Sequence, residues 1–218
     1  MSPESRNPEA SKDYAAARQA MIDSQLRPQG VTDPLVIAAM AAVPREHFVP
    51  AEARAIAYSD RSVPLGEGRA LAPPAALGML LEAMLPAAGE RALVIGAGTG
   101  YSATVLAEMG LMVTALDLAD IAHKGGGGVD RVEGALESGH ASGAPYDLIL
   151  IDGAVEAIPD AITGQLADGG RLGAALIENG ICRLVVGCKS GAAFGYRSIG
   201  DAGYPPLPGF ARPRAFNF

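Results

Sequence analysis

The sequence predicts an α/β protein built on a doubly wound, mostly parallel sheet with helices on both faces. Continuous apolar runs at residues 91–96, 112–117, 147–152 and 171–177 are typical of strands that are buried on both faces. Helical segments separate these runs, and such alternation indicates parallel crossovers. The first run also ends in a glycine-rich turn that leads into a helix. At 218 residues, the chain is long enough for one such unit and an extension.

The residues before the sheet predict a helical extension over 14–88, preceded by a disordered polar tail over 1–13. Apolar residues recur at helical spacing in the extension, and prolines stand where helices are expected to begin or end. A proline-punctuated stretch covers residues 45–68. The helices of the extension are predicted at 14–26, 32–43, 52–57 and 73–85. We assign residues 89–218 to the core, and the whole chain to one structural unit.

Within the core, further elements follow from the same patterns. A helix is predicted at 101–109, short helices around 159–167, and a closing antiparallel pair at 183–189 and 193–199. The connection after residue 117 is unusual, because only eleven residues precede residue 129 and four of them are consecutive glycines. A parallel crossover usually needs a dozen or more residues, and glycine disfavours helix. We therefore predict a loop there, followed by a weak edge strand at 129–133.

Composition excludes several classes of function. A net charge of −7 without a basic patch predicts that nucleic acid is not a partner. No apolar run is long enough to span a membrane, and the polar N-terminal residues lack the apolar stretch of a signal peptide. We therefore expect a cytoplasmic protein without a membrane partner. His47, His123 and His140 lie too far apart for a metal motif, so no metal is predicted.

The glycine-rich turn predicts a cofactor site. Its glycines follow a G-x-G-x-G pattern, whereas a dinucleotide-binding turn needs a third glycine at the position of Tyr101. The spacing is that of S-adenosyl-L-methionine-dependent methyltransferases, and Asp117, at the end of the next strand, is expected to hold the ribose hydroxyls. The alternative is that the glycines only make a tight strand-to-helix turn. The predicted cofactor-binding residues of the turn are Gly96, Ala97, Gly98 and Gly100.

Motifs from about residue 21 to residue 175 resemble those of one family in order and spacing. They are Val43-Pro-Arg45, Phe48-Val-Pro50, and the segments 57–60, 64–68, 95–101, 147–152 and 166–172. The chain resembles the protein-L-isoaspartate O-methyltransferases. The resemblance implies a seven-stranded, mostly parallel, Rossmann-like sheet and S-adenosyl-L-methionine as the cofactor. It also implies isoaspartyl-containing peptides or proteins as partners, whose carboxylate is methylated in the repair of damaged proteins.

The chain departs from this family at polar positions. Where the family carries Gly-Gln-Thr-Ile-Ser, the chain reads Gly68-Arg-Ala-Leu-Ala72, so the position of the substrate-holding serine is Ala72. Val94 replaces an acidic residue, and Ala135 replaces the aspartate of a Gly-Asp pair that helps place the adenine. We hypothesise that Arg69 compensates by pairing with the substrate carboxylate; the alternative is a solvated surface arginine.

Two further carboxylates are candidates for the site. Asp60 lies on the extension that would cover the cofactor, and we consider it a candidate substrate-binding residue. Asp152 ends a central strand at the carboxyl edge of the sheet, where ligands bind in such folds, and it either lines the site or caps a helix. No catalytic residue is identified.

Three functions remain open at this stage. The first is carboxyl methylation of isoaspartyl residues, and the second is methylation of another carboxylate by a family member. The third is a catalytically silent descendant that binds a nucleoside or a protein without turnover. The oligomeric state is open as well.

Overall fold

A computed structural model of the chain describes residues 8–66, 68–118, 124, 127–201, 203–204 and 206–212, and only the main chain of residues 8–13. Seven strands form one sheet: β3 (Arg91–Ile95), β4 (Met112–Asp117), β5 (Val129–Glu133), β6 (Tyr146–Val155), β7 (Leu166–Glu178), β8 (Ile181–Ser190) and β9 (Ala193–Asp201). Their order in the sheet is β5-β4-β3-β6-β7-β8-β9. The pairs from β5 to β7 are parallel, and β8 and β9 close the sheet with antiparallel pairs. The predicted fold class, a Rossmann-like and mostly parallel sheet, is confirmed.

The described residues form five α-helices: α1 (Pro8–Met21), α2 (Pro34–Ala42), α3 (Pro74–Met84), α4 (Tyr101–Glu108) and α5 (Asp160–Thr163), and a π-helical turn, Ile22–Leu26, follows α1. The helix α4 connects β3 to β4, and α3 packs against β7 and β8. The prolines at the starts of α2 and α3 fix the backbone for a first helical turn, where no amide partner is needed.

Some element boundaries differ from the predictions. The first helix begins at Pro8, not at residue 14, because a proline suits a helix start and the residues after it are compatible with helix. A small hairpin of β1 (Val63–Gly66) and β2 (Arg69–Leu71) lies in the proline-punctuated stretch. Proline is tolerated there because both strands are at an edge.

The region predicted as helix at 159–167 is helical only in α5, and β7 already begins at Leu166. Leu166 pairs with Tyr146, and the register then shifts before Arg171 pairs with Leu148. The Asp-Gly-Gly sequence at 168–170, which is typical of a turn, lies inside this irregular strand. The edge strand predicted at 129–133 is confirmed as β5. Most of the loop predicted before it, residues 119–123 and 125–126, lies outside the described residues.

Two apolar clusters form the core, one on each face of the sheet. Alternate residues of β3 belong to different clusters, as expected for a strand buried on both faces. The cluster that contains Val94 joins the sheet to α2, α3 and α4 and to the N-terminal turns. The cluster that contains Leu93 includes α5 and two residues near the C-terminus, Leu207 and Phe210. The C-terminal residues therefore pack at the edge where the parallel strands end.

Two glycines in the closing strands test how tightly those strands pack. A Cβ on Gly187 would lie 2.7 Å from Phe194 Cε2 and 2.8 Å from the Gly195 carbonyl oxygen, whereas a Cβ on Gly195 would meet nothing within 4 Å. We expect Gly187→Ala to lower the free energy of unfolding by about 1–3 kcal/mol, because strand and ring must both shift. Gly195→Ala is the matched control and should change it by less than about 0.5 kcal/mol. Equal denaturant midpoints for the two variants would contradict this packing.

Candidate functional site

Three strands bring two acidic residues to the same level at the carboxyl edge of the sheet. Ile95 of β3 pairs with Leu116 of β4 on one side and with Ile151 of β6 on the other. Along the chain, the next residues are Gly96 directly after β3, Asp117 in β4 and Asp152 in β6. Because parallel strands in register point equivalent residues to the same face, Gly96 lies between the two carboxylates. Both carboxylates are buried.

The glycine-rich turn leaves β3 as the sequence predicts and leads directly into α4. Gly96, Gly98 and Gly100 all have positive φ angles, of 75°, 56° and 95°. Side chains rarely adopt such a backbone, so the pattern of glycines is required by the turn itself. The amides of Gly96 and Ala97 donate to the Leu116 carbonyl oxygen at 2.9 and 3.3 Å, which attaches the turn to β4.

The carboxylate of Asp117 is fully engaged by groups of the protein itself. Arg69 donates to it with both terminal nitrogens, at 2.6 Å to Oδ1 and 3.0 Å to Oδ2. The amide of Gly98 donates to Oδ2, and the amide of Leu118 donates to Oδ1 at 2.8 Å. A charge-assisted, two-pronged pair of this kind is among the stronger polar interactions in proteins. The group predicted to hold ribose hydroxyls therefore already has partners.

Arg69 is a buried residue, so the interpretation of it as a solvated surface arginine is wrong. Only 6% of its surface is exposed, and its Nη2 lies 3.2 Å from the point where a Cβ on Gly96 would stand. The short strand β2 carries this side chain over the glycine turn. Its proposed contact with a substrate carboxylate stays a prediction, but its partner within the chain is Asp117.

Near the C-terminus, a second side chain also lies on the glycine turn. The amide of Leu207 donates to the Ala154 carbonyl oxygen at 2.8 Å, and Pro206 bridges to Ala154 as well. The Leu207 side chain packs on Gly96, where a Cβ would come within 2.9 Å of its Cδ1, and on Gly153. Arg69 and Leu207 together cover the turn at the end of β3.

The residues of this site fit S-adenosyl-L-methionine in kind. A turn with glycine at positions 96, 98 and 100 and a carboxylate at the end of β4 are the groups that the cofactor needs. The space above them, however, is occupied by the ends of Arg69 and Leu207. Both are flexible side chains on segments outside β3 and β4. Binding therefore requires these two side chains to move, and not the glycine turn.

Asp152 is the second carboxylate of the site and lines it, as one of the two sequence interpretations predicts. Ser102, in the first turn of α4, donates to its Oδ2 at 2.5 Å. Burial raises the pKa of Asp152 to about 6, although the Ser102 hydrogen bond and the charge of Arg69 act in the opposite direction. Its other oxygen, Oδ1, has no hydrogen-bond partner among the described residues.

Three further buried polar groups surround Asp152, and the sequence analysis missed them. Burial lowers the pKa of Arg45, whereas its interactions with Tyr101, Asp152 and Tyr204 act in the opposite direction, so these groups lie close together. The guanidinium of Arg45 lies 4.8 Å from the centre of the Tyr101 ring. Arg45 Nη1 and the hydroxyls of both tyrosines lack hydrogen-bond partners within the described part of the chain. Buried polar atoms of this kind usually contact ordered water or a ligand.

Arg45 also holds the segment that carries the position of the family serine. Its Nε donates to the Ala57 carbonyl oxygen at 2.6 Å, and its Nη2 donates to the carbonyl oxygen of Ala72. Ala72 is itself buried, so its contact with this polar cluster is made through its carbonyl oxygen. In the sequence, Arg45 is singled out by the Val-Pro-Arg motif. A buried arginine needs several acceptors, and the carbonyl oxygens of Ala57 and Ala72 are two of them.

The remaining predicted residues lie further out. Asp60 is exposed and accepts a hydrogen bond from the Ala75 amide at 3.2 Å, so it caps the start of α3 from a neighbouring segment. Ala135 is exposed just after β5, next to Gly134, whose amide donates to the Asp117 carbonyl oxygen at 3.1 Å. Val94 is buried in the first apolar cluster.

No group of three or more potential metal ligands occurs in the part of the chain that the structure describes. His47 is exposed and His140 is partly buried, while His123 lies outside that part. Among the described helices, none is long and apolar enough to cross a bilayer.

The contact between Leu207 and Gly153 provides a test of the covering segment. A Cβ on Gly153 would lie 2.7 Å from Leu207 Cδ2. We expect Gly153→Ala to push the segment away and to lower the free energy of unfolding by about 1–3 kcal/mol. Gly203→Ala, on the same segment with nothing within 4 Å, is the control and should leave the stability nearly unchanged. Denaturant unfolding measures both, and a wild-type midpoint for Gly153→Ala would show that Leu207 does not pack there.

Comparison with known proteins adds an independent line of evidence. The model of the protein-L-isoaspartate(D-aspartate) O-methyltransferase family matches residues 16–191. A protein-L-isoaspartate O-methyltransferase 1 of Rhodopseudomonas palustris is 41% identical over 180 residues, which are 77% of this chain and 74% of that protein. A relative from Marinobacter nauticus with the same activity in its name is 35% identical over 211 residues, covering 91% and 95% of the two chains.

Solved structures agree with this on the fold. A protein-L-isoaspartate O-methyltransferase superposes with a TM-score of 0.78 at 20% identity, over 88% of this chain and 66% of the other. One from Plasmodium falciparum, solved with S-adenosyl-L-homocysteine, has a TM-score of 0.74 at 17% identity. The superposition covers 89% of this chain and 97% of the other. The match of the family model, together with relatives of up to 41% identity, leads to one conclusion: the chain belongs to the protein-L-isoaspartate O-methyltransferase family.

Proposed function

We propose that the chain is an S-adenosyl-L-methionine-dependent carboxyl methyltransferase that acts on isoaspartyl residues of peptides and proteins in the repair of damaged proteins. The observation that carries the proposal is the sheet edge where the glycine turn and Asp117 meet, on a chain of this family. The names of its relatives give the substrate class.

The cofactor would be held by Gly96, Gly98 and Gly100 along the turn and by Asp117 at the ribose. Ala135 stays a prediction for the adenine side, and it offers no side-chain hydrogen bond. When bound, S-adenosyl-L-methionine supplies an activated methyl group on a sulfonium. The residues of the chain then have to orient the acceptor carboxylate in line with that methyl group and to exclude water.

A carboxylate acceptor needs no general base. Its ordinary pKa is near 4, so it is ionised at neutral pH. The lack of a hydroxyl at Ala72 therefore removes an orienting contact and not a proton acceptor. We expect that loss to cost about 1–3 kcal/mol of positioning, which the nearby guanidinium of Arg69 is suited to offset.

A groove next to this edge is the candidate approach for a substrate chain. It has a volume of about 390 Å³, and Asp60, Pro73, Ala75 and Asp201 are among its lining residues. The groove borders the first turn of α3, and Ala72 lies just before that turn. Asp60 would contribute to substrate binding from the wall of the groove and not from the reacting centre.

A second function, that of a catalytically silent descendant, would keep Arg69 and Leu207 on the glycine turn. The family relationship does not favour it. Methylation of a different carboxylate by the same site is the third function. The cytoplasmic location and the lack of a nucleic-acid partner stay predictions of the sequence.

Methyl transfer to a matched peptide pair tests the proposal. The purified chain is given S-adenosyl-L-methionine with a labelled methyl group and either an isoaspartyl peptide or the same peptide with ordinary aspartate. We expect base-labile label in the isoaspartyl peptide alone, because carboxyl methyl esters hydrolyse in base. Labelling of neither peptide, with tight binding of S-adenosyl-L-homocysteine, would indicate another carboxylate substrate. Neither labelling nor binding would indicate the silent descendant.

Asp117→Asn tests the assignment of the ribose contact. We expect the Kd for S-adenosyl-L-homocysteine to rise about ten- to a hundredfold, because hydrogen bonds to a charged group contribute roughly 1.5–3 kcal/mol. Isothermal titration measures this. Asp130→Asn, which changes an exposed carboxylate on the neighbouring strand, is the control and should bind like the wild type. Since Asp117→Asn leaves Arg69 without its charged partner, the double variant with Arg69→Gln is compared with Arg69→Gln alone, which verifies that the effect is not misfolding.

A further inference from the structure

Arg69 lies between two buried carboxylates but pairs with only one of them. Its guanidinium sits over Gly96, and the register of β3 with its two neighbours places Asp117 on one side of Gly96 and Asp152 on the other. Both oxygens of Asp117 bind Arg69, at 2.6 and 3.0 Å. The charge of Arg69 also acts on Asp152, so the two groups are within electrostatic range of each other.

The carboxylate of Asp117 cannot bind Arg69 and the ribose hydroxyls of the cofactor at the same time. In the structure it binds Arg69, whereas the proposed function requires it to bind the ribose. The inference that follows rests on that proposed function. A buried guanidinium that loses its only carboxylate would be left uncompensated, and this costs several kcal/mol. The cofactor can therefore bind well only if Arg69 finds another acceptor in the site.

Asp152 is suited to be that acceptor. Its Oδ1 is buried and has no hydrogen-bond partner in the described part of the chain, while Ser102 satisfies Oδ2. It lies on the neighbouring strand at the same level as Asp117, about two strand spacings away. An arginine side chain can cover this separation by a change of rotamer over Gly96 once the Leu207 side chain, which also packs there, moves aside.

We propose that Arg69 is a positioning residue with two positions: it pairs with Asp117 in the closed site and with Asp152 when the cofactor takes Asp117. The exchange keeps the guanidinium paired in both states. In the second position it stays beside the reacting centre, next to the segment of Ala72, where a substrate carboxylate would lie. The chain thereby replaces the orienting hydroxyl of its family with a charge.

The exchange couples cofactor binding to the release of a proton from Asp152. The groups that face Asp152 are Ser102 of α4, Arg45, Arg69, Asp117 and Tyr204. Burial raises the pKa of Asp152 to about 6 in the closed site, and pairing with Arg69 lowers it. Because the bound state favours ionised Asp152, affinity is full above pH 6 and falls as the pH drops below it, and binding there releases a proton.

Isothermal titration of the full chain with S-adenosyl-L-homocysteine at pH 7.5 and pH 5.5 tests this exchange. With a pKa of about 6, much of Asp152 is protonated at pH 5.5, so we expect the Kd to rise severalfold and up to one proton to be released. Two buffers of different ionisation enthalpy give the proton count. Asp152→Asn should bind more weakly at pH 7.5, with equal Kd at both pH values and no proton release.

Arg69→Gln separates a positioning residue from a direct ligand. Without the guanidinium, Asp117 is free for the ribose, so we expect tighter binding, by about tenfold, and the loss of the pH dependence. Arg183→Gln, on the closing strand β8, is the matched control and should retain the wild-type Kd and pH profile. Weaker binding by Arg69→Gln, or a wild-type Kd that is equal at both pH values, would overturn the proposal.

The outcomes also distinguish this proposal from the proposed function. A wild type that methylates the isoaspartyl peptide and binds S-adenosyl-L-homocysteine, yet releases no proton at pH 5.5, contradicts the exchange alone. If neither the wild type nor Arg69→Gln binds, both are wrong, because removing the guanidinium must expose Asp117.

Discussion

The parallel register of three central strands is the constraint on which the site depends. Pairing of β3 with β4 and β6 places Gly96 between Asp117 and Asp152. Two carboxylates at one level, both buried, repel each other, although burial itself contributes more to the raised pKa of Asp152. A guanidinium over the glycine between them relieves that repulsion. The strand register that brings both carboxylates to the ligand site therefore also provides the acceptors that hold Arg69 in the closed site.

The N-terminal extension is coupled to this edge through buried arginines. Arg69 comes from the hairpin, and Arg45 holds the carbonyl oxygens of Ala57 and Ala72 while facing the polar cluster around Asp152. A buried arginine is costly unless it is well provided with acceptors, so both side chains tie their segments to the sheet. The extension thus forms one wall of the site, and movement of Arg69 would be transmitted to the hairpin that carries it.

Patterns within single segments predicted the fold and one half of the site. The apolar runs, the glycine turn and the acidic end of β4 are local signals, and each of them is confirmed in position. The partner of Asp117 was not predictable, because it depends on how the hairpin folds over the sheet. The same holds for the cluster of Arg45, Tyr101 and Tyr204, whose members are distant in sequence. The alternative of a solvated Arg69 was wrong for the same reason, since neither its burial nor its acceptor can be inferred from neighbouring residues.

The chemistry explains why an acid with a pKa near 6 in this site is informative. The acceptor carboxylate is already ionised above pH 5, so Asp152 is not needed to remove a proton from it. Titration of Asp152 near pH 6 therefore affects methyl transfer through the position of the Arg69 guanidinium. A hydroxyl at position 72 would orient a substrate equally at any pH, whereas an arginine held by an acid does so only when that acid is ionised. Replacing one by the other makes methyl transfer sensitive to mild acidity without changing the reaction.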